Sequence, residues 1–304
     1  MKPSNNGFYG IIVLNRSAKL RTYTISLSST QLESLKQFYN NYLLKLEKPY
    51  IYFVAQHNDI RINAFNSGKV VLQGSEINAE LMAIKSFLNI KNYPAIGSDE
   101  VGTGDAFGPI VVCTAYTSTK DLEWLESMNV RDSKTMNNKE IIKIAPLIAE
   151  KLTHSIVILS PEKYNEQTQK GLNLNKIKAL LHNHMIMKTT SKVNEAVPVI
   201  LDQFCLPSHY FNYLKDEKLV YRDIEFYTKA ESVHLSVAAA SIIARYAFLV
   251  KMHHLSKEVG IKLKLGASKE VDEQIKEVHE KLGMDVLKSI TKMNFKNVTK
   301  QNLS

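Results

Sequence analysis

The chain is poor in the residues that cross-link a protein or anchor it in a membrane. Its 304 residues include two cysteines, Cys113 and Cys205. Both sit in apolar, strand-like surroundings, which predicts buried, inert thiols and argues against a disulfide or a ligand pair. No apolar run approaches the roughly eighteen residues a membrane helix needs. The opening Met-Lys-Pro-Ser-Asn-Asn-Gly lacks the apolar stretch of a signal peptide. No membrane partner is expected, and a reducing cytoplasm fits. The nine histidines are scattered. Their only pairs, His253-His254 and His182-x-His184, lack the spacing and acidic partners of a zinc site and read as helix-surface or packing residues. Internal repeats and low-complexity segments are missing. A content of 44% hydrophobic and 23% charged residues is that of an ordinary soluble globular protein, at a length sufficient for two domains.

What is present is a basic surplus. The formal net charge is +9, the sign a polyanion binder needs, because Lys and Arg displace the counterions condensed on phosphates. The surplus is uneven: residues 1–90 hold ten basic and five acidic side chains. That stretch reads as one unit. Strands are expected over 8–13 and 22–27, and a helix from a Thr30-x-x-Glu33 capping box to about residue 44. A meander over 50–56, 59–65 and 69–73 follows, with turns at Asn58-Asp59 and Asn66-Ser67-Gly68, then a helix over 78–88. Lys91-Asn92-Tyr93-Pro94 predicts a linker, since proline disfavours helix at the residue before it. From residue 95 onward strands (95–99, 110–116, 154–159, 197–202, 219–226) alternate with helices (137–151, 173–190, 232–255, 271–282, 284–291). This is the α/β class, with a mixed central sheet flanked by helices.

One segment carries chemistry: Gly97-Ser98-Asp99-Glu100-Val101-Gly102-Thr103-Gly104-Asp105-Ala106-Phe107-Gly108-Pro109, followed by Ile110-Val111-Val112. Two adjacent carboxylates end a strand before a glycine-rich turn. Beside a phosphate they are repulsive unless a divalent cation lies between, which points to metal-assisted phosphoryl chemistry. A dinucleotide-binding loop fits poorly. Its third glycine comes one residue late, and the β-branched run after it reads as a strand, not a helix. The bland alternative is a β-hairpin whose acidic and glycine residues serve only the turn.

The segment resembles the first active-site motif of the type 2 ribonucleases H and, with Thr103 between the glycines, the ribonuclease HIII branch among them. Four further stretches extend the resemblance. Arg131-Asp132-Ser133-Lys134 is similar to the family's D-S-K segment, and Asn173 through Asn183 to its central helix. Val199-Ile200-Leu201-Asp202 is similar to the strand bearing the third carboxylate. Lys229-Ala230-Glu231-Ser232 through Arg245 is similar to the segment bearing the fourth, where glutamate again favours the HIII branch. The match is strong over about 92–300 and weaker before it. There, Phe65-Asn-Ser-Gly-Lys69 and the Val-Val-Leu-Gln-Gly after it resemble a small α+β domain akin to the TATA-binding protein.

The resemblance implies a ribonuclease H-like catalytic domain over 91–304, preceded by a substrate-binding domain over 1–90. It implies endonucleolytic cleavage of the RNA strand of RNA/DNA hybrids, leaving 5′-phosphate and 3′-hydroxyl ends. Asp99, Glu100, Asp202 and Glu231 become the catalytic carboxylates and the ligands of two cations about 4 Å apart. The resemblance makes Asp99 the bridge, puts Glu100 and Asp202 one on each side, and sets Glu231 near the attacking water. Oxygen ligands without a His or Cys cluster select Mg²⁺ or Mn²⁺ over zinc. Asp202 ends an apolar run, where a strand should stop. Glu231 falls at an expected helix start, where the dipole alone favours a carboxylate. RNA selectivity must come from the 2′-hydroxyl. The Gly102-Thr103-Gly104 turn is suited to it, because glycine lets the backbone come close. Ser133 and Lys134 are the other candidate substrate contacts, and His234, three residues after Glu231, is read as structural, with tuning of substrate approach as the alternative. Two other readings stay open: an HII-type enzyme cutting at single ribonucleotides in DNA, and a non-catalytic hybrid-binding protein. Monomer is the default oligomeric state.

Overall fold

The computed structural model divides into two units, Met1–Asn89 and Ile90–Ser304. The structure describes residues 21–45, 48–75, 77–90 and 92–301, so the strand expected over 8–13 lies outside the described residues. The first unit runs β1 (Arg21–Ser26), α1 (Ser29–Phe38), β2 (Leu43–Leu44), β3 (Ile51–His57), β4 (Ile60–Phe65), β5 (Lys69–Gly74) and α2 (Ile77–Phe87). Its antiparallel sheet has the order β1-β5-β4-β3-β2. Ile60, Ile62 and Ala64 of β4 and Val70 and Leu72 of β5 are buried, while Arg61, Lys69 and Gln73 between them are exposed, the signature of a sheet with one covered face. Helix α1 departs from its expected box. Ser28, not Thr30, is the cap: its hydroxyl accepts from the Gln31 N–H at 3.2 Å, and Gln31 Oε1 accepts from the Ser28 N–H at 3.0 Å. Serine followed three residues later by glutamine satisfies the same two orphan donors as the expected pair. The helix ends at Phe38, and the chain passes through a 3₁₀ turn into β2, which pairs with β3.

The second unit runs β6 (Ala95–Val101), β7 (Ile110–Thr117), α3 (Thr119–Ser127), α4 (Asn138–Lys151), β8 (His154–Leu159), α5 (Pro161–Gln169), α6 (Leu174–Thr190), β9 (Val199–Asp202), α7 (Pro207–Tyr213), β10 (Ile224–Tyr227), α8 (Ala230–Val233), α9 (Leu235–Glu258), α10 (Lys269–Ile290) and α11 (Lys296–Thr299). The sheet order is β10-β9-β6-β7-β8. Strands β6, β7 and β8 pair antiparallel, and β6, β9 and β10 pair parallel. The mixed sheet expected of the chain is therefore present, and β6 at its centre carries Asp99 and Glu100.

The elements differ from expectation where tertiary contacts take over. Strand β10 starts at Ile224, because the backbone of 219–221 bonds helix α6 instead. The Tyr221 N–H donates to Asn183 Oδ1 at 2.9 Å, and Asn183 Nδ2 donates to the Leu219 carbonyl at 2.9 Å. The helix expected over 232–255 is two helices broken at His234, an extended residue whose ring accepts from the Ser236 N–H and so caps α9. Gly283, at φ +82°, divides α10 into the two arms the sequence predicts. Cys113 is fully buried on β7, and burial pushes its thiol up. Cys205 lies in a bend before α7, only partly buried and outside any strand.

Helix α9 is the one described helix long and apolar enough to cross a membrane by length and composition, although 61% of that apolar window is buried inside the protein. Leu235, Ala238, Ala239, Ala240, Ile242, Ile243 and Ala244 belong to the core that includes Val111, Cys113 and Ala115 of β7, while Val237 packs with Ala95 of β6 and Ile200 of β9. The approach is close because β6 carries a glycine there. A Cβ on Gly97 would stand 2.2 Å from the carbonyl carbon of Ser236.

Candidate active site

The parallel pairing of β6 with β9 brings two acids level. Their register ends with Ser98 beside Leu201, so the next residues, Asp99 and Asp202, stand level where the two strands part, Asp99 still paired with Cys113 of β7 and Asp202, the last residue of β9, with Tyr227 of β10. This is where open α/β sheets place their sites. The third carboxylate follows Asp99 directly on β6. The fourth, Glu231, arrives on the short helix α8, positioned by α9. Ser241 of α9 donates to Glu231 Oε2 at 3.0 Å, and Ser133 donates to the same oxygen at 3.1 Å. Asp202 is fixed in turn by the first residue of α8, whose Ala230 N–H donates to Asp202 Oδ1 at 2.7 Å.

Each carboxylate lives in a different field. Burial, and then the neighbouring charge of Glu100, hold the Asp99 carboxyl well above the usual range. Ser241 opposes this through a hydrogen bond, and the charges of Glu231 and Asp202 add to it. Burial also raises Asp202, against the Ala230 N–H and Lys134. Glu100 goes the other way. Burial pushes it up, but His182 and Lys178 together outweigh that and hold it down to about 2. Lys178 donates to Glu100 Oε1 at 2.9 Å, and His182 Nε2 meets Glu100 Oε2 at 2.8 Å. Lys134 pairs with Glu231. Protein cations thus neutralise two of the four acids. Among the described residues no three His, Cys, Asp or Glu side chains are gathered into a ready cage, because Glu100 is drawn toward α6 and Glu231 toward Lys134.

The turn after β6 divides into a structural and an open part. Gly102 has φ +91°, and a Cβ there would stand 2.1 Å from the Pro109 carbonyl oxygen, so only glycine fits. Gly104 has nothing within 4 Å of where its Cβ would be. Its backbone is therefore open to approach from outside. Thr103 stands between them, partly exposed.

A ribonuclease HII family profile matches residues 96–298, and a profile described as a domain of unknown function (DUF3378) matches 22–88. The chain is 51% identical to ribonuclease HIII of Phytoplasma mali over 284 residues, 93% of this chain and 99% of that protein. It is 38% identical to ribonuclease HIII of Bacillus velezensis over 298 residues, 91% of this chain and 95% of that protein. The chain belongs to the ribonuclease HIII family. Its fold agrees. The crystal structure of Bst-RNase HIII in complex with Mn²⁺ superposes with a TM-score of 0.67 at 36% identity, covering 92% of this chain and 97% of that one. The protein is accordingly an enzyme of the ribonuclease H type.

In this ribonuclease HIII chain, the sequence-expected residues Asp99, Glu100, Asp202, Glu231, Ser133 and Lys134 all meet at one end of the sheet. Ser133 is buried there, with its hydroxyl shared between Glu231 and Ser241. Four residues, Lys178, His182, Arg245 and Ser241, were not legible as site residues. His182 is fully buried between Ser98 and Glu100, 2.7 Å and 2.8 Å away, and is neither a surface nor a plain packing residue. The signal was its spacing: Lys178 and His182 are one helical turn apart and so share a face of α6. Arg245 of α9 donates to the carbonyls of Ser133 and Met136 and to Asn138 Oδ1, pinning the loop that delivers Lys134. Ser241 was hidden in a run of small residues whose obvious use is close packing. His234, as expected, is structural: its Nδ1 accepts from the Ser236 N–H at 3.1 Å and caps α9, and its Nε2 lies 3.2 Å from the Tyr93 backbone nitrogen.

Proposed function

We propose that this ribonuclease hydrolyses the RNA strand of RNA/DNA hybrids endonucleolytically, leaving 5′-phosphate and 3′-hydroxyl ends. The reading is carried by the meeting of four carboxylates from β6, β9 and α8 beside an exposed lysine and an open glycine turn. The donor set suits divalent cations of the Mg²⁺ or Mn²⁺ kind. It offers carboxylate oxygens without a thiolate, and the burial and like-charge repulsion that raise Asp99 are both relieved by a cation. Asp99, Glu100, Asp202 and Glu231 would hold two such ions. Bound there, the pair supplies a water activated for in-line attack and stabilisation of the leaving 3′ oxygen.

The protein's own part is to orient. Ser241, Ser133 and Lys134 fix Glu231, and the Ala230 N–H fixes Asp202. Lys178 and His182 hold Glu100 ionised. The side chain of Lys134 is 71% exposed and lies at the rim, suited to a backbone phosphate. Gly104 presents open backbone to a ribose, where N–H and C=O can read the 2′-hydroxyl that marks RNA. The first unit supplies a basic surface for the duplex. Its uncovered sheet face sets Thr22, Gln73 and Arg61 in one cross-strand row, with Lys69 exposed nearby.

The test compares three substrates at equal concentration with Mn²⁺ or Mg²⁺: a long RNA/DNA hybrid, a DNA duplex with one embedded ribonucleotide, and plain duplex DNA. Cleavage of the hybrid at many positions, with 5′-phosphate ends, is expected. Preference for the single ribonucleotide would assign the HII-type specificity instead. Cleavage of plain DNA would overturn the reading of the 2′-hydroxyl.

A further inference from the structure

A lysine lies fully buried behind the glycine turn, out of reach of the four carboxylates' own contacts. Lys292, just after α10, has no exposed surface. Its ammonium donates to three main-chain carbonyls of one segment: Asp105 at 2.7 Å, Gly108 at 2.6 Å and Phe107 at 3.4 Å. Carbonyl dipoles aimed at one point repel unless a cation lies among them. Gly108, at φ +80°, turns the chain so that they converge. The backbone adds a second seam. The Lys292 N–H donates to the Ala106 carbonyl at 2.9 Å, and the Gly108 N–H to the Ile290 carbonyl at 2.8 Å. From the other side, the Gly266 N–H donates to Asp105 Oδ1 at 2.5 Å, and the Ala106 N–H to the Gly266 carbonyl at 3.0 Å. The limb 105–108 of the turn is thus clamped, while its apex at Gly104 is open.

A buried ammonium is costly, and an apolar side chain would fill the same space without that cost. Burial pushes Lys292 down to about 7, against the Asp105 carboxylate, which favours the charged form. Retaining the charge makes sense where the three carbonyls must be held in place.

We propose that Lys292 is a positioning residue for RNA recognition: its buried ammonium holds the Asp105–Gly108 limb so that Gly104 presents its backbone to the ribose. The proposal rests on the reading of the Gly102–Gly104 turn as the ribose contact. The ammonium bonds main-chain carbonyls of the turn and none of the four carboxylates. Its loss should loosen recognition and leave the chemistry and the metal site in place.

The experiment uses the full-length protein with Lys292→Met, which removes every donor at similar volume, Lys292→Gln, which keeps two, and Gly104→Val alongside. Folding is verified by circular dichroism and thermal melting. Measured with Mn²⁺ are kcat and KM on an RNA/DNA hybrid, Mn²⁺ affinity, and the preference for ribose over a single 2′-deoxyribose at the cut position. Lys292→Met should raise KM about tenfold and lower the ribose preference about tenfold, with kcat and Mn²⁺ affinity within about threefold of wild type. Lys292→Gln should fall between, and it carries the test if the methionine variant does not fold. A purely structural lysine would lower melting temperature without moving the ribose preference. A folded Lys292 variant with wild-type KM and preference, beside a defective Gly104→Val, overturns the role of Lys292 alone. Wild-type preference in Gly104→Val overturns the turn reading and the proposal with it.

Discussion

The backbone of Ser236 occupies the space that a side chain on Gly97 would need. The 2.2 Å between the Ser236 carbonyl carbon and a Cβ built on Gly97 is far below any van der Waals separation, and both partners are main chain, so neither can swing aside. This one approach sets α9 against β6, and with it the distance of Ser241 and Glu231 from Asp99. Gly97→Ala should therefore act well beyond its own neighbourhood. A destabilisation of about 3 kcal/mol or more in urea unfolding is expected, with activity lost even at saturating Mn²⁺. An alanine variant of wild-type stability would mean that the helix can slide without cost.

Asp99→Asn should separate activity from stability. Removing this carboxylate is expected to reduce kcat by several orders of magnitude, each tenfold being about 1.4 kcal/mol of transition-state stabilisation. Without metal, the same variant should be the more stable protein. The native pKa of Asp99 lies above its ordinary value of 3.8. Its folded-state preference is thus for the proton, a contribution present below 3.8 and lost as pH rises through the raised native value. Above that range the carboxyl works against folding, and asparagine has no such group to titrate. Melting of both proteins in EDTA and in Mn²⁺ checks this. Wild type should gain more from Mn²⁺, by mass action on the folded state. A variant less stable than wild type in EDTA would contradict the sign.

His182→Asn should weaken the metal site without touching a carboxylate. Outer partners that orient ligands typically contribute 10–100-fold in metal affinity, and a loss of about that size in Mn²⁺ binding is expected. The pH dependence differs too. Glu100 is depressed to about 2 from an ordinary value of 4.5. It therefore contributes stability at pH above 4.5, and that contribution is lost as pH falls through about 2. In His182→Asn this acid limb should be shallower, as followed by circular dichroism between pH 5 and about 2. Unchanged Mn²⁺ affinity would reduce His182 to a packing residue.

Removing Met1–Asn89 should leave a folded ribonuclease with weaker hold on its substrate. The second unit has its own sheet and core, while the first carries a disproportionate share of the positive charge. Hybrid affinity should fall, and its dependence on log salt should become shallower by about 0.9 for each phosphate no longer neutralised. Filter binding with Ca²⁺ across a salt series measures both. Equal affinity and slope in the truncated protein would assign the unit another task.

The sequence by itself determined which chemistry this protein can do. Carboxylates at the ends of apolar runs, a glycine turn between two strands and a basic surplus are written in local patterns, because strand ends, turns and charge depend on neighbouring residues. The places of Asp99, Glu100 and Asp202 near strand ends were legible for that reason, as were most of the strands and helices, while the grouping of these three with Glu231 came from the resemblance to the family. The tertiary structure alone decided which acid is charged and which residues hold it there. Asp99 and Glu100 are adjacent in the chain, yet burial and repulsion raise one while His182 and Lys178 lower the other. Those partners come from about eighty positions away. A buried histidine or lysine looks like any other until its neighbours are known, because its charge is tolerated only through contacts made across the fold. Lys292 is the plainest case: its three acceptors lie more than 180 residues earlier, and nothing in its local sequence foretells that it is buried.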